Sequence, residues 1–213
     1  MTSTNSAMTT LRSDRTGTQI RATASAELEP QLRGLISQFE GVAEEWRHGF
    51  SLHIGWAPLW LREEDDGFTI FTRDFQNDPR TADSDDLTLM IQMTVGLLTT
   101  ARTVGIKPED VRWDELVFCI DGWDTSELVS LVRSDDRAEN STGWFVDASP
   151  PRSKNEATAD EMVAIPVWKM LQLRPAIARA LSLRSTTVTL AKGDHIVAIF
   201  DTATRQSLFQ GKL

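Results

Sequence analysis

Apolar residues recur every three or four positions in two stretches of the chain. In the stretch from Glu27 to about Arg47, the apolar positions are Leu28, Leu32, Leu35, Ile36, Phe39, Val42, Ala43 and Trp46. The stretch from Asp86 to Val104 repeats in the same way and is followed by Gly105, a residue type that commonly ends helices. One apolar face at this spacing is typical of an amphipathic helix. We therefore predict two long helices, over residues 27–47 and 86–104.

Shorter apolar runs, bounded by turn residues, predict strands in the rest of the chain. The predicted strands cover residues 51–61, 68–71, 116–120, 128–132, 143–146, 187–190 and 196–200. Asp66-Gly67 lies between the first two of these strands, and Gly193-Asp194 lies between the last two. Such short polar links predict two hairpins. Helical spacing returns between residues 167 and 181 and is interrupted by Pro175, which predicts a pair of short helices.

Hairpin-length links dominate this order of elements, and strands and helices do not alternate regularly. We therefore predict an α+β fold, in which mostly antiparallel sheets pack against two long helices and a pair of short C-terminal helices. Residues 1–25 are rich in Ser and Thr and lack the apolar segment of a secretory signal, so we predict a disordered N-terminal tail. Residues 26–213 form either one α+β domain or an N-terminal subdomain, 26–112, followed by a second subdomain, 113–213.

The chain of 213 residues is acidic, with a formal net charge of −9 at pH 7. The negative charge is concentrated in residues 63–147, which together hold −13. Nucleic acids and anionic lipid surfaces attract basic proteins, so we expect neither as the partner. No apolar run approaches the length of a membrane span, and a single cysteine excludes a disulfide framework. We therefore expect a cytoplasmic protein with a basic protein as its partner.

Residue types that carry catalysis near neutral pH are scarce, with one cysteine, three histidines and no tyrosine. Cys119 lies within an apolar strand, which predicts a small buried side chain rather than a nucleophile. His48 and His53 are five positions apart and would not share a helix face, so they do not predict a metal site. The chain has no glycine-rich phosphate loop, nucleophile elbow or H-E-x-x-H motif. We therefore predict a protein that is not an enzyme and that binds no cofactor or metal.

The seven tryptophans are the most unusual feature of the composition. Trp46 and Trp144 fall on apolar patterns and predict core positions, whereas Trp60 and Trp123 lie beside loops or acidic runs. Packing within the core remains the alternative for these two as well. Aromatic anchors inside a charged rim are typical of specific protein interfaces. The predicted partner-binding residues are Glu63, Glu64, Asp65, Asp66, Asp74, Asp78, Asp135, Asp136, Trp60 and Trp123.

A strand that ends in Arg133 leads through the acidic loop 134–140 into Ser141-Thr142-Gly143-Trp144. The apolar segment 162–166, the segment around Pro175 and a closing hairpin follow. This order of features resembles a bacterial immunity-protein family once grouped as DUF2185, the thirty-third numbered immunity family. The resemblance covers about residues 115–201. It implies a non-catalytic cytoplasmic protein that binds and neutralises a cognate toxin or effector protein.

Two other classes of function remain open at the level of sequence. An adaptor or a secretion-chaperone-like binding module would share the acidity and the lack of catalytic motifs. An enzyme of unfamiliar type would use carboxylates and one histidine, and would require a deep polar cleft that holds His53 or His195. A toxin gene next to the gene for this chain would favour the immunity hypothesis over both.

Overall fold

The computed structural model describes residues 7–148 and 159–213, and strands dominate both ranges. The strands are β1 (Met8–Ser13), β2 (Gln19–Ser25), β3 (Ser51–Ile54), β4 (Ala57–Glu64), β5 (Gly67–Arg73), β6 (Asp83–Ser84), β7 (Leu116–Ile120), β8 (Leu128–Arg133), β9 (Ser141–Ala148), β10 (Met162–Pro166), β11 (Thr187–Lys192), β12 (His195–Asp201) and β13 (Gln206–Gln210). The helices are α1 (Glu29–Glu40), α2 (Thr88–Thr103), α3 (Val167–Leu173) and α4 (Pro175–Ala178). Short 3₁₀ turns cover Ala26–Leu28, Ala43–Glu45, Ala159–Glu161 and Arg179–Ser182. No helix within the described ranges is long and apolar enough to cross a membrane.

The chain divides into two compact units, Met1–Thr94 and Val95–Leu213. The division falls within α2. The subdomain boundary expected at residues 112–113 therefore lies inside the second unit. Each unit contains one large sheet.

The first unit is built on a sheet with the strand order β1-β2-β5-β4-β3, and β6 pairs with β5. Its pairings are antiparallel apart from the parallel pair of β2 with β5. Helix α1 contacts β1 and β2, and its buried positions are Leu32, Leu35, Ile36 and Phe39. Their spacing of three and four residues places them on one face of the helix, so that the apolar stripe covers one side of the sheet.

The N-terminal region is ordered from residue 8, so the prediction of a disordered tail is wrong for the part that the structure describes. Strands β1 and β2 pair from Met8 with Ser25 to Ser13 with Ile20. Ile20, Ala22 and Ala24 are fully buried. These few apolar residues alternate along the strand, so even small side chains form a continuous buried face. The remaining residues of the predicted tail, 1–6, lie outside the described residues.

The second unit is built on a sheet with the strand order β10-β7-β9-β8-β11-β12-β13. Its pairings are antiparallel apart from the parallel pair of β7 with β9. One face carries Leu131, Trp144 and Val146, which are all fully buried. The segment after α4 covers this face, where Trp144 Nε1 donates a hydrogen bond of 2.8 Å to the carbonyl of Leu181. The opposite face bears the cavity described below.

The predicted fold of sheets packed against two long helices is wrong. The chain is a mixed α/β protein in which two large sheets, each with one parallel pair, contain more of the chain than the helices do, and the helices are short. Helix α1 has 12 residues rather than the predicted 21, because Gly41 follows Glu40 and a glycine is a poor helix former. Beyond it the chain turns back, and Trp46 Nε1 donates to the carbonyl of Phe39 at 2.9 Å. The apolar stripe therefore continues through a turn rather than through a longer helix.

Candidate functional site

Four of the predicted partner-binding residues, Glu63, Glu64, Asp65 and Asp66, lie together at the tip of the β4–β5 hairpin. Glu64 pairs with Gly67, so Asp65 and Asp66 form a two-residue turn. All four acidic residues are exposed. We call these four residues the acidic hairpin. The hairpin predicted at Asp66-Gly67 is thereby confirmed.

Arg21 on the neighbouring strand β2 neutralises half of the acidic hairpin. Its guanidinium forms an ion pair with Glu64 and lies 3.0 Å from the carboxylate of Asp66. Glu63 and Asp65 form no ion pair with any residue that the structure describes. These two carboxylates are the uncompensated charges of the hairpin.

Asp74 and Asp78 stabilise their own loop. The Asp74 carboxylate accepts backbone hydrogen bonds from Gln76, at 3.1 Å, and from Asn77, at 3.2 Å. Asp78 accepts from the Arg80 guanidinium at 3.1 Å, and this hydrogen bond holds the pKa of Asp78 below its ordinary value. Both predicted residues therefore have local structural partners.

Trp60 lies on the side of β4 that faces away from the core residues Leu59 and Leu61, and it is half-buried. The Arg73 guanidinium lies 5.1 Å from the Trp60 ring centre, and the Arg62 guanidinium lies 3.8 Å from the Phe71 ring centre. Asp83 binds both arginines, Arg62 at 3.3 Å and Arg73 at 2.9 Å. We call Trp60, Arg62, Phe71, Arg73 and Asp83 the arginine–aromatic face. A guanidinium over a ring shields the ring from water and is attracted by its π-electrons.

Trp123, the other predicted anchor, is only 3 % exposed and therefore presents no open ring to a partner. Its amide donates to the carbonyl of Ile120 at 3.1 Å, which folds the residue back under the loop. The buried Arg174 binds the carbonyls of Trp123 and Ser126 at 3.0 and 2.9 Å. The position of Trp123 beside an acidic loop predicted an exposed ring. The turn at Trp123 buries the ring instead, so this prediction is wrong.

Asp135 and Asp136 are exposed on the loop between β8 and β9 in the second unit. The acidic hairpin, Asp74, Asp78 and Trp60 belong to the first unit. The ten predicted residues are thus divided between the two units. We treat them as separate surfaces.

The residues that carry the family resemblance form one structural cluster. Arg133, whose side chain is 3 % exposed, donates to the carbonyl of Thr142 at 2.9 Å and to that of Leu183 at 2.7 Å. It also forms an ion pair of 2.6 Å with Glu109. Burial lowers the pKa of Arg133, and the negative charge of Glu109 opposes that shift. The arginine therefore ties the end of β8 to three other segments of the second unit.

Position 143, in the same cluster, requires a glycine because of its backbone conformation and its close contact with Ser134. Its φ is +77°, and a Cβ atom at this position would lie 2.7 Å from the carbonyl oxygen of Ser134. The Ser134 amide donates to the Gly143 carbonyl at 2.9 Å, so the two backbones are in direct contact. The Gly-Trp pair of the resemblance thus serves local packing, with Gly143 allowing close approach and Trp144 filling the core.

A cavity of about 560 Å³ opens on the face of the second sheet that carries Val132 and Phe145, which are paired in the register. Its apolar walls are Phe118 of β7, Val132 of β8, Phe145 of β9 and Met162 of β10. The β8–β9 loop forms one side, where Asp136 and Arg137 line the opening. We call this space the sheet cavity. Its size and apolar lining are typical of small-molecule sites.

Ser130 lies on the same side of β8 as Val132 and lines the sheet cavity. The residue is 1 % exposed, and its hydroxyl oxygen is buried with no hydrogen-bond partner among the residues that the structure describes. Buried polar groups nearly always have a partner, because an unmade hydrogen bond is costly. An unpartnered hydroxyl in a cavity wall is therefore a feature that a ligand could satisfy.

The sheet cavity was not predicted, because the apolar runs predict each strand by itself and not which strands lie side by side. The available signal was the alternation of residues. Phe118, Val132 and Phe145 share one face in the strand register, whereas Leu131 and Val146 lie on the other. Only the strand register shows that Phe118, Val132 and Phe145 lie side by side.

The cysteine and two of the histidines lie apart from one another in the sequence and have different surroundings. Cys119 is fully buried, as predicted, and burial raises the pKa of its thiol, with a smaller contribution from the charge of Asp124. His48 Nδ1 accepts a long hydrogen bond of 3.5 Å from the Glu63 amide, and His195 is half-buried in β12. Within the described parts of the chain, no three His, Cys, Asp or Glu side chains are grouped so as to hold a metal ion.

Comparison with protein-family models, with curated proteins and with solved structures finds no match to this chain. Function therefore has to be argued from the surfaces themselves. The first unit offers the acidic hairpin beside the arginine–aromatic face. The second unit offers the sheet cavity.

Proposed function

We propose that this chain is a non-catalytic immunity-type protein of the bacterial cytoplasm, which binds and neutralises a basic toxin protein. The observation that carries the proposal is the pair of exposed, uncompensated carboxylates, Glu63 and Asp65, at the tip of the β4–β5 hairpin. Together with the net charge of −9, they provide an anionic surface that would attract a basic active-site cleft.

The hairpin holds these carboxylates in a preorganised position. Its turn has only two residues, and Gly67 lies directly against the backbone of Gln19 on β2. Arg21 then fixes Glu64 and Asp66 from the same strand. A surface that is already ordered loses less conformational entropy on binding, which favours affinity.

Trp60 provides an apolar anchor on the same hairpin. It is half-buried, and Arg73 beside it adds a guanidinium that can bind an acceptor on the partner. Of the predicted residues, we therefore retain Glu63, Asp65 and Trp60 as the proposed contacts in the first unit. Trp123 is excluded because its ring is buried.

The family resemblance gives independent support of a limited kind. Arg133, Gly143 and Trp144 have clear structural roles in the second unit, as expected of residues that define a fold. Residues that only stabilise the fold do not determine which toxin is bound. The proposed binding surface is therefore the acidic hairpin with Trp60, and not the residues that carry the resemblance.

The test uses the toxin candidate encoded next to the gene for this chain. Co-expression of the full chain should protect cells from that toxin, and the purified proteins should bind. The double variant Glu63→Lys/Asp65→Lys should slow association at least tenfold at low salt and flatten its salt dependence. Trp60→Ala should mainly speed dissociation.

A matched control has the same change in net charge at exposed acids outside the hairpin. Glu44→Lys/Glu45→Lys fulfils this condition, because both residues are exposed in the 3₁₀ turn after α1. It should leave most of the association rate intact. Absence of both binding and protection would contradict the proposed function, and equal effects of the two double variants would contradict the proposed surface.

A further inference from the structure

We infer that the sheet cavity binds a small amphipathic carboxylate of medium chain length that carries a hydroxyl at its far end. The apolar chain would lie against Phe118, Val132 and Phe145, the carboxylate would bind Arg137, and the hydroxyl would bind Ser130. This inference does not depend on the proposed toxin-binding surface, which lies in the other unit.

The apolar walls determine the body of the ligand. The side chains of Phe118, Val132 and Phe145 are half-buried, so each still presents apolar surface to the cavity. Met162, at 37 % exposed, adds a flexible side chain at the edge strand β10. Covering such surface is favourable in proportion to its area. An alkyl chain provides apolar area without requiring a further polar partner.

Ser130 determines one polar end. Its hydroxyl is buried and has no hydrogen-bond partner in residues 7–148 and 159–213, although a hydroxyl can both donate and accept. A ligand hydroxyl satisfies either role at this oxygen. A hydrogen bond to a buried group without a partner contributes more binding free energy than a hydrogen bond to a group that water already solvates.

Arg137 determines the other polar end. It is exposed, lines the cavity and makes no ion pair with any residue that the structure describes. Its positive charge acts on the nearby Arg133, whose pKa is lowered first by burial and further by this repulsion. An anion at Arg137 relieves the repulsion. The negative charge of Asp136, which also lines the opening, would repel a bound anion. Removing this charge should therefore strengthen the binding of the anion.

The spacing of the two polar ends sets the length of the ligand. Ser130 and Ser134 are four positions apart, about 13 Å at the rise of a strand. Arg137 lies near Ser134, because the Ser134 carbonyl oxygen and the Arg137 Cβ both lie within 3.3 Å of the position that a Cβ atom would take at Gly143. An extended ω-hydroxy carboxylate of medium chain length spans a comparable distance. We therefore choose 10-hydroxydecanoate as the probe.

The experiment is isothermal titration calorimetry of the full chain with 10-hydroxydecanoate, decanoate and decyltrimethylammonium. The hydroxy acid should bind most tightly, decanoate several-fold more weakly, and the cation weakest. Arg137→Gln should weaken the hydroxy acid at least tenfold, and Asp136→Asn should strengthen it. Ser130→Ala should abolish the advantage of the hydroxy acid over decanoate.

The matched control is Arg102→Gln, an exposed arginine in the last turn of α2, which should leave the affinity unchanged. Val132→Trp should block binding by filling the cavity. If that variant does not fold, the exposed Arg137→Gln and Asp136→Asn variants still decide the matter. No binding at millimolar probe, tighter binding of the cation, or an equal loss in Arg102→Gln would overturn the inference.

Discussion

The two sheets differ in how the apolar residues on their outer faces are covered. In the first unit, Arg62 and Arg73 lie over Phe71 and Trp60, and Asp83 binds both guanidinium groups. Phe71, beneath the Arg62 guanidinium, is only 9 % exposed. In the second unit, Phe118, Val132 and Phe145 line an open cavity, and the charged residues Asp136 and Arg137 of the β8–β9 loop line its opening.

This difference shows how a sheet can cover its outer face without a second layer. Long arginine side chains remove aromatic surface from water while their charged ends remain solvated or paired. The first sheet uses its own residues in this way and leaves little apolar surface for a small ligand, apart from the half-buried ring of Trp60 that we propose as a contact for a protein partner. In the second sheet, Arg133 lies 5.9 Å from the ring centre of Trp144, on the face opposite Val132 and Phe145 in the register. On the outer face, no arginine of the described residues lies over Phe118 or Phe145, so this face remains available.

The largest expected effect tests the backbone contact that holds the first sheet together. A Cβ atom at Gly67, whose φ is +144°, would overlap the backbone oxygen of Gln19. Gly67→Ala should therefore force β2 and β5 apart and lower the free energy of unfolding by about 3 kcal/mol or more. Chemical denaturation measures this loss.

Gly49→Ala is the control for that substitution. Gly49 also has a positive φ, +78°, but a Cβ there meets no atom within 4 Å. It should cost about 1 kcal/mol from backbone strain alone. Equal losses in the two variants would show that the contact with Gln19 contributes nothing of its own.

The next effect tests whether arginines cover the first sheet. Arg62→Ala/Arg73→Ala should lower the free energy of unfolding by about 1–2 kcal/mol, because two cation–π contacts and the cover over the rings are lost. Arg33→Ala, which removes only an exposed pair with Glu29 one helical turn away, should cost about 0.5 kcal/mol or less. If the double variant were as stable as the control, the arginines would not be stabilising the face.

A smaller effect concerns charge in the second sheet, at the turn after β12. Asp201 accepts backbone hydrogen bonds from Thr204 and Ala203 and pairs with Arg184, and these contacts lower its pKa from the ordinary 3.8. A lowered pKa in the folded state stabilises the protein above the unfolded value, and the stabilisation is lost as pH falls through the folded pKa. Asp201→Asn should therefore be less stable than the original chain at pH 7.

Thermal unfolding from pH 7 to pH 2 checks this dependence. The gap in Tm between the original chain and Asp201→Asn should narrow below about pH 4 and close as Asp201 becomes protonated. Asp110→Asn, at an exposed carboxylate with no ion pair among the described residues, is the control and should show little gap at any pH. A gap that stays constant down to pH 2 would contradict the role of the ionised carboxylate.

The smallest expected effect sharpens the interpretation of the cavity. Because Ser130 Oγ has no hydrogen-bond partner in the described part of the chain, Ser130→Ala should change the free energy of unfolding by no more than about 0.5 kcal/mol. Ser141→Ala, which removes the hydroxyl that accepts from the Gly143 amide at 3.1 Å, should cost about 1 kcal/mol. A large loss at Ser130 would mean that its hydroxyl already has a structural partner.

The sequence predicted local features better than the way they pack. The hairpins at Asp66-Gly67 and Gly193-Asp194 are confirmed, because a short polar link between apolar runs leaves few alternatives. The end of α1 was missed because the apolar pattern continues past Gly41 into a turn that also needs apolar residues. Periodicity alone does not distinguish these cases.

The candidate sites depend on long-range register, which local patterns do not contain. Trp123 was expected at the surface because acidic residues surround it, but Arg174, fifty-one positions later, closes the loop around it. The sheet cavity exists because β7 and β9 pair in parallel and bring Phe118 beside Phe145. The acidic hairpin was visible in the sequence because its four residues are adjacent in the chain, whereas its partial neutralisation by Arg21 was not.

The most direct test of the contrast between the sheets is a two-dimensional amide NMR titration of the isotope-labelled full chain with 10-hydroxydecanoate. We expect shifts concentrated at Phe118, Val132 and Phe145 and no change around Trp60 and Phe71. Shifts at Trp60 and Phe71 instead, or no saturable shifts at all, would contradict the claim that the outer face of the second sheet, and not that of the first, is available to a ligand.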